Sequence, residues 1–261
     1  MARDKVRIRF RKDGDLRLLS HHDLMRSFER MLRRAALPFR SSEGFHPTPR
    51  LVFALSLPLG VVGRREVVEL ELTEETDPDE VLERLRQQAP PGIAFLSARR
   101  IPTNLTGQPR QALYRLPMPE GEVADPPARC AAFLERSSCW VERLRPTPRK
   151  VNIRPYIDSL TPRPDALEMT IWVLPEGTAR ADEVAKALGL GHLLDNGAVL
   201  ERTDLLLLDE IDSEKVARAP TRPQAERAPS TDKVPVLVRE QQKEAPAAAH
   251  WGASPNGPVV E

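Results

Sequence analysis

Between Lys5 and Ala98 the hydrophobic period of this chain switches from two to 3.6 and back, and then does so again. That order limits which elements can be neighbours. Residues 5–11 alternate Val6, Ile8 and Phe10 with Arg7, Arg9 and Arg11, the pattern of a half-buried strand with a basic outer face. From His21, the apolar residues Leu24, Met25, Phe28, Met31, Leu32 and Ala35 lie along one side of a helix. Ser20 is its expected N-cap, with Asp23 three residues on in an acidic form of the capping box. Pro38 ends it, because proline lacks the amide and clashes with the preceding turn. Residues 51–57 read as a buried strand, 58–65 as a loop or wide hairpin, and 66–72 as an alternating strand. Asp77-Pro78-Asp79 opens a second helix with Val81, Leu82 and Leu85 facing inward, and residues 92–98 close the unit as a strand.

The order βαββαβ with these lengths predicts an α+β chain of ferredoxin-like type, an antiparallel sheet with both helices on one face. The pattern recurs with one strand more. Residues 112–116, 139–144, 151–157, 167–174 and 198–208 read as strands, 126–135 and 180–188 as helices, the second ended by Gly189. The expectation is therefore two tandem ferredoxin-like domains, over 1–104 and 105–210. From Ile211 the composition changes: residues 212–261 hold seven prolines and a single aromatic, Trp251. Such a stretch cannot bury enough apolar area to offset chain entropy, so 211–261 is expected to be a disordered tail, with 234–238 its one apolar island.

The formal charge of +1 hides an uneven distribution, since residues 1–50 carry thirteen Lys or Arg against six Asp or Glu. A basic patch suits phosphate-bearing partners, because neutralised phosphates release counterions. It is also what an ordinary solvated face looks like. Cys130 and Cys139, with no CxxC, exclude a disulfide scaffold, a zinc ribbon and a cysteine-ligated cluster, and fit a reducing compartment. No apolar leader and no membrane-length apolar run occur, so the chain reads as soluble and cytoplasmic, with no membrane partner.

Chemistry concentrates in residues 18–50, which hold three of the five histidines. His21 and His22 stand at the helix start and His46 in the loop after it. Histidine suits acid–base work at neutral pH, so His21 and His46 are catalytic candidates for a metal-independent ribonuclease with arginines on the phosphate. A packing or capping role is the plainer alternative. Adjacent histidines on a helix diverge by about 100°, so no metal site is expected. Ser41-Ser42-Glu43-Gly44, flanked by Arg40 and Arg50, could cradle a phosphate or carboxylate, or be an ordinary turn. It lacks the GK[ST] ending of a P-loop, and no GxGxxG follows a strand, so no nucleotide cofactor is expected. Asn152 and Arg154 would share one strand face with Tyr156 close by, a second nucleic-acid surface or a strand edge protected by charge.

The stretch LRLLSHHDLMRSFERMLRRAALPFRSSEGFHPTPRLVFALSLPLGV, followed by EVVELEL, VNIRPYI and ERTDLLLL, resembles the radical-SAM-linked protein family, a domain of unknown function, over about residues 3–208. Members are fused behind a cobalamin-binding radical SAM protein or encoded beside one. The resemblance implies a radical SAM protein as partner, and an accessory subunit that carries no cluster or other cofactor of its own. The family's signature falls on Ser20, His21, Asp23, Arg26, Arg30, Ser42, Gly44, His46, Pro47 and Arg154. It carries no catalytic role over. Together these features predict a subunit that binds RNA, a tRNA or rRNA, and presents it to a radical SAM enzyme. Arg26, Arg30, Arg40, Arg50 and Arg154 would contact phosphate with Ser41, Ser42 and Gly44, while His21 and His46 shape the pocket. The other two readings are the ribonuclease, or another RNA-modifying enzyme, and a protein-docking scaffold without RNA.

Overall fold

The computed structural model describes residues 4–144, 147–217, 219 and 220. In β1 (Asp4–Lys12) the side chains of Val6, Ile8 and Phe10 enter the core as their alternation requires. A 3₁₀ turn, Gly14–Leu18, leads into α1 (His21–Arg34), followed by β2 (Leu51–Phe53) and β3 (Val62–Leu72). α2 (Pro78–Gln88) starts at Asp77, whose carboxylate accepts the Asp79 amide, and its proline stands in the first turn, where an amide would have no helical partner. β4 (Ile93–Arg100) completes the first half. β1 lies between β3 and β4, antiparallel to both, and β2 pairs with the far side of β3, giving the order β4-β1-β3-β2. Leu24, Phe28, Met31 and Leu32 of α1 and Val81, Leu82 and Leu85 of α2 share one core with the apolar residues of β1 and β3. Each such side chain contributes about 1.5–3 kcal/mol on burial, which holds both helices to one face.

β2 stops at Phe53, four residues short of the expected strand. The carbonyl oxygens of Leu55 and Ser56 instead accept hydrogen bonds from the Arg202 guanidinium, at 3.0 and 3.2 Å, so the backbone has left the sheet.

The second half contains β5 (Pro109–Pro117), α3 (Pro126–Leu134), β6 (Trp140–Arg143), β7 (Arg149–Asn152), β8 (Ile157–Arg163) and β9 (Ala166–Leu174). It ends with β10 (Gly177–Thr178), α4 (Ala181–Ala187), α5 (Gly191–Asp195) and β11 (Glu201–Leu207). Several elements depart from expectation. β6 and β7 pair only with each other, as a separate ribbon. The strand expected over 151–157 is displaced to β8, which carries Pro162; an edge strand tolerates proline because its outward amide has no ladder partner. The order here is β11-β5-β9-β8.

β11 pairs antiparallel with β5 and, through Glu201 and Arg202, parallel with Val62 and Gly63 of β3. One mostly antiparallel sheet, nine strands among the described residues, therefore runs through both halves of this α+β chain. Arg202 is spent at that seam. Its Nε donates to Glu66 Oε1 at 2.8 Å and its Nη2 to Glu66 Oε2, with neither side chain open to solvent.

Of the basic outer face expected for β1, only Arg11 is at the surface; Arg7 and Arg9 are buried. Arg7 and Glu69 have side chains only 1% exposed and pair at 3.0 Å, and Lys5 meets the same carboxylate at 2.9 Å. Residues 101–108 cover them, with the Leu105 carbonyl accepting from Lys5 Nζ and the Gly107 amide donating to Glu69. Asp209 and Glu210, just past β11, close the other side. Arg7 Nη1 donates to both Asp209 carboxylate oxygens at 2.9 and 2.7 Å, and Arg9 donates to Asp204 and Glu210. Alternation assigns residues to a face; it does not say whether that face meets water or a layer of opposite charge.

Ser213–Ala217, inside the span expected to be a tail, forms a short helix, α6. Residues 221–261, including the apolar island at 234–238, lie outside the described residues. No helix among the described residues is long and apolar enough to cross a membrane.

Candidate functional site

α1 begins where its sequence says it should. The Asp23 amide donates to Ser20 Oγ at 3.2 Å, and the Ser20 hydroxyl donates to the Asp23 carboxylate at 2.7 Å, a tighter local arrangement than a capping box. Met25, expected in the core, instead stands partly exposed, beside His22, Arg26, Glu29, Thr48, Pro49 and Leu51, in a shallow groove of about 220 Å³. One side of that groove is the segment after the helix.

That segment is more ordered than a loop. Arg40 donates its amide to the Glu71 carbonyl and Arg50 its amide to the Arg40 carbonyl, at 2.8 and 2.7 Å, so both ends are tied to β3 or to each other. Ser41 bridges Pro49, the Ser42 amide donates to the Thr48 carbonyl at 2.7 Å, and the Thr48 amide donates to Ser42 Oγ at 3.1 Å. The result is a narrow hairpin with residues 43–47 at its tip. It lies along α1, since Arg33 Nη2 reaches the Pro47 carbonyl at 3.4 Å while Thr48 and Pro49 line the groove with Arg26.

The candidate residues divide cleanly on this frame. Arg26 is 74% exposed, with only a loose contact of 3.7 Å to Asp23. Arg30, Arg34 and Arg50 are exposed and have no carboxylate partner among the described residues. Arg40 is committed to Glu71 at 3.0 Å. Ser42 is consumed inside the hairpin, which leaves Ser41 and Gly44 exposed without the convergent amides of a phosphate cradle. Phe45, to which the sequence pattern assigns no role, is 101% exposed at the tip beside the exposed His46. A phenylalanine between glycine and histidine in a polar loop was the available signal.

His21 packs edge-on against Phe53, with ring centroids 5.3 Å apart. Burial pulls its pKa below the ordinary histidine value, and His22 and Lys12 push the same way. Pro47, next to His46, contacts Arg33, roughly three helical turns from His21. His21 packs on Phe53 while His46 stands exposed near the hairpin tip, and no hydrogen bond or ring contact joins the two among the described residues. No three His, Cys, Asp or Glu side chains group for a metal among the described residues.

The second expected surface is rearranged. Arg154 lies in a 3₁₀ turn, Arg154–Tyr156, and donates to the Leu134 carbonyl at 2.7 Å, ending α3, and to the Ile157 carbonyl at 3.2 Å. Tyr156 is buried in the core and cannot stack on a base. A cleft of about 800 Å³, lined by Leu18, Leu57, Leu59 and Tyr114, lies elsewhere, but Arg202 at its wall is already paired.

The family described as "Uncharacterized protein conserved in bacteria (DUF2344)" matches residues 5–183, a span that includes α1, the hairpin and the second half as far as α4. The chain belongs to this family. No curated protein matches. Among solved structures, an "Unknown Protein from Galdieria sulphuraria" is similar at 14% identity and a TM-score of 0.24, over 80% of this chain and 99% of that one.

Proposed function

We propose that this chain is an RNA-binding accessory subunit that presents its RNA, a tRNA or rRNA, to a radical SAM enzyme supplied in trans in the cytoplasm. The observation that carries the RNA reading is the set Arg26, Arg30, Arg34 and Arg50. These guanidinium groups are exposed and largely free of carboxylates, on α1 and on the hairpin that lies along it. Most other arginines of the first half are spent on acids. Free guanidinium groups on one face give phosphate affinity without sequence preference. The partner enzyme is supported by the likeness of SHHDLMR and SSEGFHPTP to the radical-SAM-linked family. Each half is read as one ferredoxin-like unit, divided near residue 104. The support is that β4-β1-β3-β2 and, with the β6–β7 ribbon and the two-residue β10 set aside, β11-β5-β9-β8 follow the same order, fourth strand, first, third, second.

The test is RNA affinity against salt for the parent and an Arg26→Ala, Arg30→Ala double variant. Binding should weaken, and the slope of log K against log salt should shrink by about 0.7 for each phosphate that is no longer neutralised. A folded double variant with the parent's affinity and slope would sink the reading.

A further inference from the structure

We infer that Phe45 is a stacking residue for an unpaired base, so that the RNA face of this subunit takes single-stranded or looped RNA rather than duplex. The inference rests on the RNA-binding reading above and deepens it. Phe45 is 101% exposed, so its ring gains nothing from the protein that carries it. Its position is nonetheless held. Ser41–Pro49 and Ser42–Thr48 close the hairpin immediately below the tip, and Arg33 holds the Pro47 carbonyl from α1. Gly44, at φ +133, supplies a backbone conformation at the tip that other residues rarely adopt.

The surroundings favour a base over an apolar protein groove. Phe45 is flanked by Glu43, Gly44, His46 and Pro47, all exposed, so its neighbours in the chain add no second large apolar side chain. The helix beneath carries Arg30, Arg33 and Arg34, of which only Arg33 is paired, with Glu29. An exposed aromatic ring on a hairpin that lies along a helix carrying free cations matches the two parts of a single strand, a π-face and a phosphate. A duplex offers phosphate but keeps its bases stacked, and the deep major groove of A-form RNA admits no side chain.

The experiment is fluorescence anisotropy of the full chain with a short labelled single-stranded RNA and with the same RNA annealed to its complement. The parent should prefer the single strand. Phe45→Ala should weaken that binding about 5- to 150-fold, the range expected for removing one stacked base, without changing the salt slope. Phe45→Trp should keep the affinity, and Phe45→Leu, which keeps apolar bulk but no π-face, should behave like the alanine variant. Full binding by Phe45→Leu would overturn the inference, since apolar bulk without a π-face would then carry the contact. Full binding by Phe45→Ala, with loss in an Arg30→Ala, Arg34→Ala variant, would overturn stacking and leave the RNA reading standing. A parent that binds neither RNA would overturn both.

Discussion

Arg202 of β11 and Glu66 of β3 face each other across the seam between the two halves, both buried and joined through two guanidinium nitrogens. Burial alone would pull the pKa of Arg202 down, but the Glu66 carboxylate more than offsets it and holds the guanidinium charged. Removing one partner strands a charge in the interior. Arg202→Met should therefore cost about 3–5 kcal/mol in urea unfolding, whereas an Arg202→Met, Glu66→Leu double variant should recover much of the loss. A double variant as unstable as the single one would contradict this.

Gly107 passes so close to the buried ionic layer that a Cβ there would stand 2.8 Å from Glu69 Oε1 and 3.0 Å from Leu207 Cδ1. Its amide also donates to that carboxylate. Gly107→Ala should destabilise the fold by about 1–3 kcal/mol, as overpacking does, and the denaturation midpoint measures it. An unchanged midpoint would mean that the layer yields more readily than its packing suggests.

His21 should make stability depend on pH. Its native pKa lies below the ordinary value, chiefly because of burial. As pH falls through about 6.5, the unfolded chain takes up a proton that the native chain refuses, so stability falls with it. The urea midpoint of the parent should drop on acidification across that window, and His21→Phe should flatten the drop. Parallel curves for the two proteins would rule out this linkage.

Arg154 belongs to the fold rather than to the binding face. Its guanidinium donates to the Leu134 and Ile157 carbonyls, so Arg154→Ala leaves acceptors at the end of α3 without a partner. A loss of about 1–3 kcal/mol is expected, with RNA affinity per folded molecule unchanged. Weaker RNA binding at full stability would restore Arg154 to the site.

The parts of the fold that were legible in sequence are those where one period governs a whole element. β1, α1 and α2 each bury the residues their spacing assigns, Met25 excepted, and Ser20 and Asp77 cap where they stand. What escaped depends on partners distant in sequence. Arg7 and Arg9 look like a solvated face until Asp204, Asp209 and Glu210 arrive from the far end of the described chain. β8 was hidden by Pro162, which reads as a breaker unless the strand is known to lie at an edge. At the candidate site, α1 and its arginines could be read directly. The hairpin could not, because Ser42 and Thr48 give no periodic signal, and so Phe45 passed for an ordinary loop residue.

The placing of β11 between β3 and β5 also sets a timetable for biosynthesis. β1 leaves the ribosome before the rest of the sheet, yet Arg9 finds its carboxylates only at Asp204 and Glu210, and Arg7, paired early with Glu69, gains Asp209 only there. At roughly 5–20 residues per second, that is a wait on the order of ten to forty seconds. Throughout that interval the nascent first half holds Arg9 without a carboxylate partner and a β3 edge that has no neighbour at Val62 and Gly63. The first half can collapse around its apolar core early, but its polar face can be completed only after β11 has been synthesised.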